Sequence, residues 1–457
     1  MVLCETKYCK ATNIVGFENL THSVRAILNF FIAFMFFACG GCEAKHTEAS
    51  DTTKVQPSEF TNKLLDSGDS ITQFIFVEDN NCKALSYLNQ WIDSMPGKHF
   101  LVVLKICDTC DCPSMTQSDF NTLNRKISDG TVIITKNQFN APAAISLARL
   151  KNTRRKSGNV NLLRRSELSQ FAIPEQTTDY GADGFTPAES DNGREKVKTI
   201  YVYEAKYKSD SLSRILKQQF NANSVVYLPG KTFLQAGNYF TIDGHIFIGT
   251  NFLFQNIRDT NRREVDSILR KAYNLPFDTS LTIDFIGRND TNYSRFYHLD
   301  LVFTTIGPDS TGLYKIFISN VLPEDTINTP GAKDAFEYLN LIRDQFDRIM
   351  SGYRSVKYEV IPVPIFLSRG ANGYVVTSVN GISEMVNKTS KYYFPLVDTV
   401  RAGPQSQKLY DRQRQALQIF RNNLGSGNVI VFNFPLAIVK NNSQSLHCTL
   451  GIIGRGN

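Results

Sequence analysis

Residues 296 to 303 read Phe296-Tyr297-His298-Leu299-Asp300-Leu301-Val302-Phe303 and alternate polar and apolar side chains over their middle. A period of two is typical of a buried strand, so the pattern predicts a strand with His298 and Asp300 on one face. Near the C-terminus, the run His447-Cys448-Thr449 adds a thiol. A thiol, an imidazole and a carboxylate are together suited to attack on an electrophilic carbon.

Length, composition and charge narrow the class of protein. The chain has 457 residues, 42% of them hydrophobic, and a formal net charge of +7 at pH 7. This is enough for one large or two ordinary domains with a sizeable core. Acidic and basic residues are mixed along the chain, and the short basic cluster at 151–156 is typical of a solvated loop. Because no long Lys/Arg stripe with interleaved aromatic residues occurs, we expect no nucleic-acid partner.

The N-terminal segment has the pattern of an export signal. Arg25 precedes an apolar run over residues 26–38 that is interrupted only by Asn29. The run is too short to span a bilayer comfortably and is typical of the core of a signal peptide. It ends in Ala38-Cys39-Gly40-Gly41, which resembles a bacterial lipoprotein signal with Cys39 as the lipidated residue. Plain export and an uncleaved N-terminal anchor are the alternatives.

The sequence predicts three parts. Residues 1–39 form the export or lipoprotein segment, residues 40–65 a flexible polar tether, and residues 66–457 a single folded domain. The tether is indicated by the polar composition of residues 43–61, which contain few large apolar side chains. We expect a membrane-anchored lipoprotein in the periplasm or at the cell surface, with secretion as the alternative.

The nine cysteines are too few for a disulfide framework at this length. Four of them could bind zinc or, as is more usual in an exported protein, pair as disulfides. These four are Cys82, Cys107, Cys110 and Cys112. Cys448 lies far from them and is the thiol left for chemistry. Its apolar neighbours also allow a small buried core residue.

Apolar strands alternate with amphipathic helices, which predicts an α/β or α+β class. Asp243-Gly244 lies between two apolar runs and predicts a hairpin. The polar stretch 136–182 predicts surface loops. Helices are predicted over residues 84–95, 211–221, 262–273, 332–350 and 405–423. Strands are predicted over residues 73–78, 99–106, 131–135, 199–204, 225–228, 239–243, 245–250, 281–286, 314–321, 357–362, 374–379 and 429–434.

Four motifs, taken in order, resemble those of the guanidino-group-modifying (pentein) superfamily, and most of all its agmatine deiminase and bacterial peptidylarginine deiminase branch. They are Asp179-Tyr180-Gly181, Gln235-Ala236-Gly237-Asn238, His298-Leu299-Asp300 and His447-Cys448-Thr449. The family pattern is Arg-Asp-x-Gly-Pro, then Glu-Gly-Gly-Asn before a hairpin, then Gly-His-x-Asp, then Gly-Gly-Asn-x-His-Cys-x-Thr. Order and approximate spacing match over about residues 170–457.

The chain departs from this pattern at the positions that support the motifs. Gln235-Ala236 stands in place of Glu-Gly, and Tyr297 in place of the glycine before His298. Thr178 and Ala182 replace the Arg and Pro of the first motif, and residues 443–445 read Ser-Gln-Ser instead of Gly-Gly-Asn. The residues that carry chemistry are kept, so the departures bear on the substrate more than on the reaction class.

The resemblance implies an α/β fold of five ββαβ-type units around a pseudo-fivefold axis, a five-bladed propeller with its site in the central channel. It implies that the Cys448 thiolate attacks the guanidinium carbon and that His298 transfers protons, with no cofactor and no metal ion. Two carboxylates match a planar guanidinium bidentately, and Asp179 and Asp300 are the candidates.

Each candidate also has a structural explanation. His298 could be a buried structural histidine. Asp179 could be a solvated turn residue, as could Asp183, although the Asp-x-Gly motif favours Asp179. Asn238 is a candidate for substrate binding, and turn chemistry explains it equally well. His447 would point to the opposite face from the thiol if the segment were a strand, so we expect it to be structural.

The sequence therefore predicts an exported deiminase of peptidyl-arginine or of an arginine-like or agmatine-like small molecule. One alternative is a surface lipoprotein that keeps the fold but only binds a ligand or partner, which the lost glycines suggest. Another is an amidinotransferase, in which an amine rather than water resolves the intermediate. Arg295, Arg369 and Arg455 could bind a substrate carboxylate, but exposed surface charge is the default expectation for each.

Overall fold

The computed structural model describes residues 61–65, 69–78, 85–104, 118, 125, 132–135, 184–191, 195–204, 213–214, 216–217, 221–230, 232–253, 261–278, 281–288, 296, 298–329, 331–368, 373–399, 403, 405–434, 436, 439 and 446–455. These residues fall within one compact unit, Glu59–Asn457. The predicted export segment, and the four cysteines that could bind zinc or form disulfides, lie outside the described residues.

Strands and helices alternate along the described residues, which confirms the α/β class. The helices are α1 Leu85–Ser94, α2 Arg262–Tyr273, α3 Pro323–Asn328, α4 Ala332–Met350, α5 Ser406–Leu424 and α6 Leu446–Thr449. The strands are β1 Lys63–Leu64, β2 Ile71–Glu78, β3 His99–Leu104, β4 Val132–Thr135, β5 Phe185–Asp191, β6 Lys196–Tyr203, β7 Ser224–Leu228, β8 Tyr239–Ile242, β9 His245–Gly249, β10 Ile283–Ile286, β11 Phe303–Ile306, β12 Leu313–Asn320, β13 Lys357–Pro364, β14 Phe366–Leu367, β15 Val375–Val376, β16 Ile382–Val386, β17 Thr389–Val397, β18 Val429–Phe434 and β19 Leu450–Arg455.

Five sheets of the described residues share one construction, an antiparallel pair to which a third strand is added in parallel. Three of them have the orders β8-β9-β10, β11-β12-β13 and β16-β17-β18. Their parallel pairs are joined through α2, α4 and α5, because parallel neighbours need a long crossover connection. The fourth sheet is β1-β5-β6-β7, and the fifth, β19-β2-β3-β4, pairs a C-terminal strand with an N-terminal one.

The fourth sheet corrects the predicted tether. Lys63 pairs with Glu189, and Leu64 pairs with Ala188 in an antiparallel ladder. Leu64 is 1% exposed and belongs to the core. Lys63 and Leu64, which the sequence assigned to the tether, are therefore part of the folded unit. They form an edge strand of the sheet, and the Leu64 side chain packs into the core.

Helix α4 has the bounds that the apolar spacing predicts. Its buried residues Leu339, Ile342 and Phe346 recur every three to four positions, so one side of the helix faces the core. The Phe346 ring lies against the rings of Phe247 and Phe303. The stripe is thus core, as expected. None of the described helices has the length and apolar content that a membrane span needs.

The hairpin through Asp243-Gly244 is confirmed. β8 and β9 are antiparallel, with Ile242 opposite His245. Asp243 has φ 49° and Gly244 has φ 83°, so both turn residues lie in the left-handed region. Asp-Gly tolerates this conformation and matches the twist of the two strands, which is why the dipeptide predicts such turns.

The predicted strand over residues 296–303 is wrong. His298 is extended, but Leu299–Leu301 form a 3-10 helix, and β11 begins only at Phe303. The Val302 N–H donates to the Leu299 carbonyl at 2.8 Å and closes this turn. All four residues from His298 to Leu301 are buried, so the alternation in the sequence reflects a tightly packed turn rather than a strand with one buried face.

The segment around Cys448 is helical rather than the strand considered for it above. Residues Leu446–Thr449 form the single helical turn α6, and the strand β19 starts at Leu450. The His447 N–H donates to the Asn380 carbonyl at 3.1 Å, which gives this turn a partner outside itself. The His447 side chain therefore projects from a helical turn and not from a strand.

A buried carboxylate connects two of the sheets. Glu384 of β16 is 1% exposed. Its Oε2 atom accepts a hydrogen bond from the Ile71 N–H at 2.9 Å and from Lys98 Nζ at 2.7 Å, and the Tyr393 hydroxyl donates to its Oε1 atom. Because Ile71 belongs to β2, this side chain holds the sheet of β16 against the sheet of β2 and β3.

Replacing Glu384 with Ala should lower the free energy of unfolding by about 3–5 kcal/mol, because it leaves the mostly buried Lys98 ammonium without its ion-pair partner. Urea denaturation measures this change. The control is Glu337→Ala, which removes an exposed ion pair with Lys333 at 3.9 Å and should change stability by less than about 0.5 kcal/mol. Equal effects of the two substitutions would show that Glu384 does not hold the sheets together.

Candidate active site

The 3-10 turn brings His298 and Asp300 to one point in the structure. Both side chains are buried, with 3% and 8% of the residue exposed. They meet at Gly237, where a Cβ atom would stand 2.8 Å from His298 Nδ1 and 2.8 Å from Asp300 Oδ2. Only a residue without a side chain leaves room for both groups here. The imidazole and the carboxylate therefore lie side by side, as the sequence predicted, but a 3-10 turn and not a strand brings them together.

Gln235 orients the His298 ring. It lies directly before the 3-10 helix Ala236–Asn238, and its Oε1 atom is 2.9 Å from His298 Nε2. An amide oxygen only accepts hydrogen bonds, so Nε2 carries a proton in this contact. The other ring nitrogen, Nδ1, faces Gly237 and the region of Asp300. The sequence marked Gln235 only as a departure from the family pattern; the structure makes it the partner of His298.

His447 contacts Asp300 directly, and the expectation that it points away from the site is wrong. Its Nδ1 atom is 3.0 Å from Asp300 Oδ2. The reason is the helical turn α6, which directs the ring toward the aspartate where a strand would have directed it away. The signals in the sequence were the adjacency of His447 to Cys448 and the His-Cys pair of the family pattern.

The remaining predicted residues divide into two groups. Cys448 follows His447 in α6, and its side chain lies outside the described atoms. Asp179, Asp183 and Cys39 lie outside the described residues altogether.

Asn238 has a well-defined structural contact. It is 3% exposed, and its Nδ2 atom donates to Asn251 Oδ1 at 2.9 Å. A Cβ atom at Gly249 would overlap the Asn238 amide oxygen, so this side chain is enclosed by β9 and the residues after it. It is absent from the described wall of the cavity beside Asp300. The geometry matches the turn explanation for Asn238 better than substrate binding.

A cavity of about 90 Å³ lies beside Asp300 and His447. That volume is enough for a few water molecules or a small polar group. Each of the five sheets contributes a strand to its wall. The strands are represented by Pro187 of β5, Thr241 of β8, Thr305 of β11, Ser383 of β16 and Ile452 of β19.

Arg455 and Tyr239 also line this cavity. Arg455 is 7% exposed and donates to the Asp69 and Ser383 carbonyls at 2.8 and 3.3 Å, so the default of an exposed charge is wrong. Burial raises the pKa of Tyr239 to about 12, while a hydrogen bond with Thr186 and the charge of Arg455 oppose the increase. Tyr239 is therefore a neutral phenol at physiological pH.

Within the described ranges, no group of three His, Cys, Asp or Glu side chains is arranged to hold a metal ion. The described side chains of the site instead form two donor–acceptor pairs, His298 with Gln235 and His447 with Asp300. Such an arrangement can bind a small cationic group and move protons to and from it.

Solved structures that the chain is similar to are agmatine deiminases and an amidinotransferase. The C. jejuni agmatine deiminase is 12% identical, with a TM-score of 0.49 over 86% of this chain and 97% of that chain. The agmatine deiminase of Enterococcus faecalis is 12% identical, with a TM-score of 0.49 over 87% and 96%. An amidinotransferase from Microseira wollei in the saxitoxin biosynthetic pathway is 11% identical, with a TM-score of 0.35 over 87% and 98%. No protein-family model matches the sequence, and no curated protein matches it significantly.

Gly237→Ala tests whether the site requires a residue without a side chain at position 237. The new methyl group should push His298 and Asp300 apart and lower the free energy of unfolding by about 1–3 kcal/mol. Urea denaturation measures the loss, and nitrogen NMR of the histidine rings reports the contact of His298 with Gln235.

The matched control is Gly427→Ala, because nothing lies within 4 Å of a Cβ atom at that position. It should leave stability unchanged or raise it slightly, by up to about 1 kcal/mol. If Gly237→Ala behaves in the same way, the close approach at Gly237 is not a requirement of the fold.

Proposed function

We propose that this protein modifies guanidino groups, and that it deiminates peptidyl-arginine or an arginine-like or agmatine-like molecule to a ureido product and ammonia. The observation that carries the proposal is that Asp300 and His447 line one cavity and that His298 lies next to Asp300 at Gly237. Cys448, the residue after His447, would supply the nucleophile. These residues come from two separate motifs, His298-Leu299-Asp300 and His447-Cys448-Thr449, and each motif contributes a side chain that the chemistry requires.

The five-bladed arrangement belongs to the same proposal. Five sheets of similar construction each contribute a strand to the wall of the cavity. This supports five units arranged around a central channel that holds the site. Residues 66–457 would form this one catalytic domain, with β1 added at its edge.

Asp300 would bind the substrate. A buried carboxylate forms charge-assisted hydrogen bonds with a planar guanidinium, and these are stronger than bonds between neutral groups. Asp179 would contribute the second carboxylate from a loop that precedes β5, as the motif order suggests. The phenol of Tyr239 and the hydroxyl groups of Thr241 and Thr305 line the same cavity and offer further hydrogen-bonding groups.

The reaction would proceed in two halves. The Cys448 thiolate forms a C–S bond to the guanidinium carbon, and one C–N bond breaks as His298 gives a proton to the departing ammonia. Water then attacks the thiouronium carbon, His298 accepts a proton from it, and the C–S bond breaks to release the thiolate. One guanidinium and one water yield one ureido group and one ammonium ion, and the residues supply every proton transfer.

Purified protein should convert arginine, agmatine or an arginine peptide to equal amounts of ammonia and ureido product. Cys448→Ala should abolish turnover, and His298→Ala should lower kcat by about 10²–10⁴. The control is His99→Ala, which changes an exposed histidine of β3 and should retain activity. A folded wild-type protein that converts no guanidine would contradict the proposal.

One observation favours a second candidate, a protein that binds guanidines without converting them. Gln235 offers His298 a neutral amide oxygen where the family pattern has a carboxylate, so this contact is a neutral hydrogen bond and not an ion pair. Calorimetry separates the two functions, because a binding protein would show saturable guanidine binding without ammonia release. Transfer of the amidino group to an added amine would instead indicate an amidinotransferase.

We also propose that the protein is exported and anchored through a lipid on Cys39. The support is the apolar run over residues 26–38 followed by Cys39-Gly40-Gly41. In a bacterial host fed labelled fatty acid, the full chain should be labelled and found with the membranes, and Cys39→Ser should remove the label. Cys42→Ser is the control and should keep it. Equal labelling of the two variants would contradict modification at Cys39.

A further inference from the structure

We propose that His447 is a positioning residue, which holds the Asp300 carboxylate by one oxygen so that the carboxylate is oriented for a cationic substrate. The inference rests on the proposed function and extends it to a residue that the catalytic steps do not use. Its basis is the 3.0 Å contact between His447 Nδ1 and Asp300 Oδ2 beside the cavity.

The burial of the two side chains agrees with this role. The Asp300 side chain is 7% exposed and the His447 side chain 23% exposed. The aspartate thus lies deeper, and the histidine reaches it from the more open side. A hydrogen bond to a buried carboxylate is stronger than one in water, so this contact restricts rotation of the carboxylate about its χ2 angle.

The backbone of His447 is held independently of its ring. Its N–H donates to the carbonyl of Asn380, a residue with no exposed surface. On either side in sequence, Leu446 and Leu450 are also fully buried. The backbone that carries the ring is therefore held by the core rather than by the contact itself, which is what a residue that orients another group requires.

The space around Asp300 allows few other orientations. Gly237 lies against the same Oδ2 atom, because a Cβ atom built on this glycine would stand only 2.8 Å from it. With Oδ2 held between His447 and Gly237, the plane of the carboxylate is set. A guanidinium needs a coplanar carboxylate for bidentate hydrogen bonding, so the orientation of Asp300 should govern substrate affinity.

This role predicts which kinetic parameter changes. Asp300 would bind the guanidinium in both the ground state and the transition state, and a loss of orientation weakens both. Such a uniform loss raises KM and leaves kcat nearly constant, whereas loss of a proton-transfer group lowers kcat. His447 and His298 are thereby distinguishable by kinetics.

The experiment compares His447→Asn with His447→Gln. The Asn side-chain nitrogen stands about where His Nδ1 stands, so this variant keeps the donor to Asp300. The Gln nitrogen corresponds in position to Nε2 and misses it. We expect the Asn variant to match the wild type within about threefold in KM and kcat. The Gln variant should raise KM about tenfold or more, the effect of losing a hydrogen bond to a charged group, with kcat within about threefold.

Binding provides a readout that does not depend on turnover. In Cys448→Ala protein, the dissociation constant of arginine or agmatine should rise about tenfold on adding His447→Gln and stay unchanged on adding His447→Asn. His99→Gln makes the same substitution at an exposed histidine and should leave the dissociation constant of arginine or agmatine unchanged. His447→Leu removes the donor completely and should resemble the Gln variant. If it does not fold, the Asn and Gln pair decides the question.

Several results would overturn the inference. One is a Gln variant that binds and converts guanidines like the wild type, and another is a large fall in kcat with an unchanged KM. In both cases the wild type converts a guanidine, so the proposed function stands while the role of His447 falls. If the wild type neither binds nor converts any guanidine, the proposed function fails first, and the inference fails with it.

Discussion

The site depends on one constraint, the buried Asp300 carboxylate, which lies where Gly237 leaves room for it and where His447 holds one of its oxygens. His298 reaches the same point and is oriented by Gln235 on its other nitrogen. Burying a carboxylate is costly unless it has hydrogen-bond partners, so the burial of Asp300 requires the contact with His447. Each functional side chain thus has a neighbour that determines its direction.

The fold supplies these neighbours from distant parts of the chain. The 3-10 turn before β8 brings Gln235 and Gly237, the turn before β11 brings His298 and Asp300, and α6 brings His447. Repetition of one sheet construction makes this possible, because equivalent turns arrive at the same cavity. Glu384 stabilises the arrangement by joining the sheet of β16 to the sheet that pairs the N- and C-terminal strands.

Local patterns in the sequence predicted the helices α2 and α4 with their observed bounds, and the β8–β9 hairpin. Their signals are strong because an apolar stripe and an Asp-Gly turn depend only on nearby residues. Strands β1, β5, β14, β16, β17 and β19 were missed, and only the first residue of β11 lay in a predicted strand. β5 contains Pro187 and Asp191, β16 is short, and the glycines of β19 weaken its pattern, so local propensity does not mark these three strands. β19 also pairs with β2, a strand from the other end of the described chain. The strand predicted at 296–303 was wrong because a buried turn shows the same alternation.

The sequence by itself determined the α/β class, the order of the four motifs and the choice of His298 and Asp300 as candidates, since residue type and spacing along the chain are enough for these. Tertiary structure alone decided that Gln235 and His447 are their partners and that Arg455 is buried in the cavity wall. The physical reason is the distance in sequence. His447 and Asp300 are 147 positions apart, and no local pattern reports a hydrogen bond whose geometry is set by five packed sheets.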